Sequence, residues 1–147
     1  LNAKINLNES DMFTHKSQIR VRYAETDQMG YVYYGNYAMY YEVARVEAFR
    51  FLGFPYRDLE EKQGIMMPVL DMQTRYLQPA LYDDLLTVHL TIKDFPEVRI
   101  VFEYEVFNQH QVKLNTGKTT LVFVEKNRNK ILRCPEGLKS LLESYFM

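Results

Sequence analysis

The sequence predicts an α+β fold, with a five-stranded, mainly antiparallel sheet curled around one long helix. Three observations carry this. One strand-like segment precedes a long helical segment, four strand-like segments follow it, and the links between those four are short. Short links join antiparallel neighbours, since a parallel pair needs a crossover of a dozen residues or more. The helical segment is rich in apolar positions, and one helix cannot cover both faces of five strands, so the sheet must bend around it.

Residues 1–14 alternate without a clear period and read as a loosely held extension to a single domain spanning residues 1–147. Gln18 to Tyr23 sets Ile19, Val21 and Tyr23 against Gln18, Arg20 and Arg22, which is a strand with one buried face. From Tyr37, the residues Tyr37, Tyr40, Tyr41, Ala44, Ala48, Phe51 and Leu52 recur at helical spacing. Glu42, Arg45, Glu47 and Arg50 form the narrower polar face. The helix should open near Gly35–Asn36 with Asn36 as its cap, and stop at Gly53, ahead of Pro55. Tyr56 to Gln63 reads as a short helix. Strands are expected at about Met66–Leu77, Leu85–Lys93, Val98–Asn108 and Val112–Glu125. Gly117, inside the last, marks a bulge or a close approach of another segment. Glu136 to Phe146 reads as a terminal helix. A curled sheet keeps edges and an uncovered face, so self-association is expected.

Bulk properties exclude several classes. The formal net charge is −1 with both signs mixed along the chain, so there is no electrostatic footprint for nucleic acid. The single cysteine, Cys134, forms no intrachain disulfide and fits a reducing compartment. No apolar run approaches the ~20 residues of a membrane span, and no signal-peptide core opens the chain, so the expected location is the cytoplasm. Twelve Tyr and nine Phe supply aromatic surface for a core, a subunit contact or an apolar pocket.

The chemistry concentrates between Tyr23 and Leu52. Asp27 falls on a loop just before the helix N-terminus, where unpaired N–H groups and the helix dipole favour negative charge. A carboxylate beside an amide-lined anion site is the minimal equipment for hydrolysing an ester or thioester. Local chemistry also allows Asp27 as an ordinary loop or capping residue. Glu25 reads as a surface charge, and Glu42 and Arg45, three apart on the helix, as an ion pair. Glu47 is a weaker candidate for a second subunit's pocket. Other catalytic patterns fail. Val112 stands where a phosphate loop ending in Gly117-Lys118-Thr119 needs glycine. There is no G-x-S-x-G, and His15, His89 and His110 are dispersed, so no metal is expected. Cys134 reads as an inert packed thiol.

The run Arg22-Tyr23-x-x-Thr26-Asp27-x-x-Gly30-x-Val32-x-Tyr34-x-Asn36-Tyr37, continued by Glu42-x-Ala44-Arg45 and Leu52-Gly53, resembles the signature of the 4-hydroxybenzoyl-CoA thioesterase family. That resemblance implies the hot-dog fold, an acyl-CoA substrate, no cofactor, and a homodimer or homotetramer with sites between subunits. It makes Asp27 the catalytic carboxylate, as general base or nucleophile, and places the backbone amide of Tyr34 against the thioester oxygen. Many members carry His where this chain has Tyr34; others carry Tyr. Gly30, Val32 and Asn36 are the accompanying substrate-binding candidates. Arg99, with Lys126, Arg128, Lys130 and Arg133 behind it, is a candidate for the coenzyme A phosphates. An acyl-CoA-binding module without turnover, or an acyl-thioester dehydratase or hydratase, are the alternatives on the same scaffold.

Overall fold

The computed structural model describes residues 11–147. Its long strands are β1 (Phe13–Arg20), β3 (Val69–Tyr76), β4 (Leu85–Ile92), β5 (Arg99–Phe107) and β6 (Lys113–Glu125). They pair antiparallel throughout, in the order β1-β4-β5-β6-β3. Two short strands, β2 (Ile65–Met66) and β7 (Lys130–Leu132), pair with the far end of β6. The sheet wraps around α1 (Tyr37–Leu52), and two shorter helices, α2 (Tyr56–Gln63) and α3 (Glu136–Leu142), complete the chain. This is the hot-dog fold.

The period-two pattern of β4 and β5 decides which face meets the helix. Leu86, Val88, Leu90 and Ile92, with Ile100, Phe102, Tyr104 and Val106, are buried against α1, while alternate residues point away. Gly53 and Gly64 end α1 and α2 in the left-handed conformation that glycine tolerates (φ 80° and 65°).

Four expectations need correction. β1 begins at Phe13 rather than Gln18, so residues 13 and 14 belong to the sheet; the rest of the expected extension, up to residue 10, lies outside the described residues. Tyr23 is not in that strand: the chain turns at Val21 into a 3-10 turn (Tyr23–Glu25), leaving Tyr23 exposed. The expected strand Met66–Leu77 is broken at Met67-Pro68, because proline cannot donate to the ladder. On α1, Phe49 is fully buried, whereas Phe51 points outward beside His15.

Gly117 is a close approach, not a bulge. It pairs in register with both Thr74 and Tyr104. The phenol of Tyr41 lies so near that a β-carbon at this position would overlap it. That phenol hydrogen-bonds Asn115 Oδ1 and Thr74 Oγ1, so it cannot swing away freely. Gly117→Ala should therefore cost roughly 1–3 kcal/mol of stability, the usual penalty for overpacking a core. Urea denaturation checks this, and a parental midpoint would show that Tyr41 yields.

Candidate active site

The site is built on a small hairpin. Thr26 and Val32 form an isolated antiparallel bridge, and Gly30 turns the chain at φ 78°. A β-carbon at Gly30 would meet nothing within 4 Å, so glycine is required there for its backbone angle alone. Tyr31 bridges Leu81, and the Val32 amide donates to the Ala80 carbonyl, docking the hairpin on the β3–β4 connection.

Asp27 closes the turn with one carboxylate oxygen. Its Oδ1 accepts from the amides of Met29 (2.9 Å) and Tyr31 (3.2 Å). Among the described residues, Oδ2 has no hydrogen-bond donor. The carboxylate is thus held by one oxygen and presents the other.

Tyr34 stands on the opposite arm, in the 3-10 turn Tyr34–Asn36 that leads into α1. The Tyr33 amide donates to the Glu25 carbonyl and the Asn36 amide to the Tyr33 carbonyl. Among the described residues, no backbone carbonyl in a turn, loop or cap accepts from Tyr34 or Gly35. These are two successive donors at the head of a 16-residue helix. The Tyr34 ring itself is exposed, packed against Tyr33 and edge-on to Tyr76.

Glu25, expected on the surface, is buried. Its side chain accepts from the Arg22 amide (3.0 Å), Arg22 Nε (2.7 Å) and Tyr40 Oη (2.9 Å). Burial works to raise its carboxyl, yet the Arg22 amide, the Arg22 side chain and Tyr40 outweigh it and hold the group below the ordinary carboxylate range. Burial and that same bond push the Tyr40 phenol far up, so it is a fixed donor. The pattern Arg-x-x-Glu before the turn, with Tyr fifteen residues on, was the signal in the sequence.

The remaining candidates divide. Asn36 occupies the N-cap position of α1 as expected, but its side chain makes no capping bond; instead Nδ2 donates to the Glu25 carbonyl (2.8 Å) and ties the helix start to the Asp27 arm. Val32 is buried and its amide is spent on Ala80, so it is scaffold rather than a substrate contact within this chain. Arg99 opens β5 opposite Val122, at the other end of the sheet from the Asp27 hairpin, on the same side as Lys126, Arg128 and Lys130. Arg45 does not pair with Glu42. It is buried, donating to Tyr104 Oη (3.1 Å) above the Phe102 ring. Glu47 pairs with Arg50 on the surface. A cavity of about 560 Å³ among Arg75, His89, Glu103 and Lys118 lies on the sheet face turned away from α1, remote from this chemistry.

A sheet curled around one long helix, the hot-dog fold, is the fold of the thioesterase class, and here its hairpin carries a loop carboxylate on one arm and helix-head amides on the other. Residues 21–142 match the Thioesterase-like superfamily, and the chain belongs to that family. It is 42% identical over 97 residues to "Putative acyl-CoA thioesterase YneP" of Bacillus subtilis (66% of this chain, 70% of that one). It is 29% identical over 120 residues to the acyl-CoA thioester hydrolase YbgC of Escherichia coli (82% and 89%). The crystal structure of a DHNA-CoA thioesterase from Staphylococcus aureus superimposes with a TM-score of 0.83 at 36% identity, over 90% of this chain and 88% of that one.

The depressed Glu25 carboxyl has a pH consequence. A folded value below the ordinary 4.5 means its stabilisation is fully present above that value and is lost as pH falls through the folded one. Glu25→Gln should be roughly 1–3 kcal/mol less stable than the parent at pH 7, and the gap should close towards pH 3. Thermal or urea unfolding across that range measures it; a gap independent of pH would remove the ionised carboxylate from this account.

Proposed function

We propose that this protein is an acyl-CoA thioesterase of the cytoplasm, acting without metal or cofactor, with Asp27 as its catalytic carboxylate. The observation that carries this is the split use of the carboxylate: Oδ1 is fixed by the Met29 and Tyr31 amides, and Oδ2 is left to act. As general base, Oδ2 takes a proton from water attacking the thioester carbonyl; as nucleophile, it attacks that carbon itself. In both routes the carbonyl oxygen gains charge, and the Tyr34 amide donates to it. In the first route the carbon–sulfur bond breaks as the proton held by Oδ2 passes to the departing thiolate. In the second the thiolate leaves from an anhydride between Asp27 and the acyl group, which water then hydrolyses, its proton going to the thiolate. Both routes end in coenzyme A thiol and the free acid. The exposed rings of Tyr31, Tyr33, Tyr34 and Tyr76 around the turn favour an aromatic acyl group. DHNA-CoA, the substrate in the name of the Staphylococcus aureus relative, is the first to test, beside 4-hydroxybenzoyl-, acetyl- and decanoyl-CoA.

The active unit is a homodimer or homotetramer. β3 is a long edge strand whose free side exposes Val69, Leu70 and Met72, with Tyr76 and Leu77 at its end. Such an edge is a template for pairing with another chain. Antiparallel pairing of β3 with a second copy would bring the start of that copy's strand beside Tyr76 and Tyr34. The apolar pocket of about 290 Å³ lined by Tyr56, Leu59, Ile65, Met67 and Pro68 would come with it. The same pairing would bring a second copy's Arg99 end to the Asp27 end, which supports Arg99 as a phosphate contact across subunits.

Release of free thiol from the four acyl-CoA esters tests the function. Asp27→Asn keeps Oδ1 and both amide bonds but replaces Oδ2, so turnover should fall by roughly 10²–10⁴-fold with the fold intact. Tyr34→Phe keeps the amide and should lose far less than the roughly 10²–10³-fold of a deleted oxyanion donor. A near-parental Asp27→Asn enzyme would end the carboxylate's role.

Charge reversal at Arg99 should raise KM, more at low salt than at high, with turnover at saturation unchanged. Identical kinetics at both ionic strengths would leave Arg99 as solvated surface.

A further inference from the structure

The Tyr34 carbonyl has a partner from outside its own turn. It accepts a hydrogen bond from Tyr76 Oη at 3.1 Å, across 42 residues of sequence. The Tyr76 ring sits edge-on to both Tyr34 (6.3 Å, 88°) and Tyr37 (5.5 Å, 75°), so the phenol approaches the turn from β3 in a packed orientation. A trans peptide is planar, and its N–H points opposite to its C=O. Fixing a carbonyl therefore aims the amide of the following residue. The Tyr33 carbonyl is fixed by the Asn36 amide, which aims the Tyr34 N–H. The Tyr34 carbonyl is fixed by Tyr76, which aims the Gly35 N–H. Gly35 is exposed, and the ring of Tyr33 already fills the space a β-carbon would take there. The Gly35 amide thus lies next to that of Tyr34 at an exposed position and carries no side chain of its own.

We propose that Tyr76 is a positioning residue that aims the Gly35 amide as a second donor to the thioester carbonyl, beside the Tyr34 amide. Its hydroxyl also polarises the shared peptide, since a carbonyl that accepts a hydrogen bond makes its own N–H a stronger donor. The inference rests on the thioesterase reading. It adds a second amide and names what holds it.

The neighbouring Thr74 supplies the control. It lies two residues earlier on the same face of β3 and bonds the Tyr41 phenol (2.9 Å), so it docks the strand on α1 without touching the turn. Tyr76→Phe keeps the ring and removes only the hydroxyl. On the fastest of the four acyl-CoA esters, kcat should fall roughly three- to tenfold, the weight of one hydrogen bond, while KM stays within about twofold. The pH profile should be parental, because no titrating group is lost. The carbonyl can be read directly in an Asp27→Asn background, where the bound ester persists. There the stretching frequency of its ¹³C-labelled thioester carbonyl should be lowered on binding, and lowered less when Tyr76→Phe is added. Thr74→Val should reduce the unfolding midpoint yet leave that frequency where Asp27→Asn alone puts it. If Tyr76→Phe keeps parental kcat and carbonyl frequency in an enzyme that Asp27→Asn inactivates, the thioesterase reading stands and the role of Tyr76 falls. If Thr74→Val shifts the frequency equally, Tyr76 only docks the strand and the inference is overturned. A parent that hydrolyses none of the esters overturns both.

Discussion

Glu25 is the constraint on which the rest of the site depends. A carboxylate removed from water must recover its lost hydration from fixed donors, or it will not stay ionised. Here three donors come from two separate elements: the Arg22 amide and guanidinium on its own turn, and Tyr40 one turn into α1. The same residue's carbonyl accepts from Tyr33 and Asn36 on the far arm of the hairpin. One residue therefore fixes the entry arm, the exit arm and the helix at once. The loop bearing Asp27 hangs between these points with little freedom left, which suits the catalytic role proposed for it.

A second polar layer sets how deeply α1 sits in the sheet. Tyr41 stacks on Tyr104 (4.1 Å between centroids, 8° between planes) and bonds Asn115 and Thr74, while Tyr104 bonds Thr119 and Arg45. A core of leucines would bury similar area but would let the helix slide. Phenols with obligatory partners do not, because each register other than the native one leaves buried hydroxyls unpaired. The absence of a side chain at Gly117 is the matching cavity for the Tyr41 phenol. Sheet and helix are thus keyed at the end of α1 nearest the turn, and the turn inherits that precision.

How far the sequence disclosed this depended on whether a residue's role was written in periodicity or in partnership. β4 and β5 alternate cleanly, since apolar residues line the helix side and polar ones the other, and their limits were legible to within a residue. β1 was not, because its inward positions include His15 and Ser17, which break the apolar rhythm although Phe13 and Ile19 keep it. Gly53 was legible as the stop of α1 from its place ahead of Pro55. The role proposed for Asp27 comes only from the spacing of the whole motif. Glu25, Arg45 and Asn36 were misread for one reason: a charged or amide side chain looks solvated until its partners are known, and those partners lie up to 59 residues away.

The two oxygens of Asp27 give this arrangement its chemical sense. A carboxylate free at both oxygens would rotate, and its productive orientation would be one of several. One held at both would be too well solvated by its donors to act as a base. Binding Oδ1 to two amides of its own turn fixes the plane of the group and leaves Oδ2 pointing along one direction. The opposite arm offers amides rather than side chains, and amides at a helix head neither titrate nor change rotamer. In the proposed mechanism every group that bears on the reacting carbonyl is therefore either a peptide or a carboxylate pinned by peptides. The side chains around them, Glu25 above all, serve to hold the peptides still.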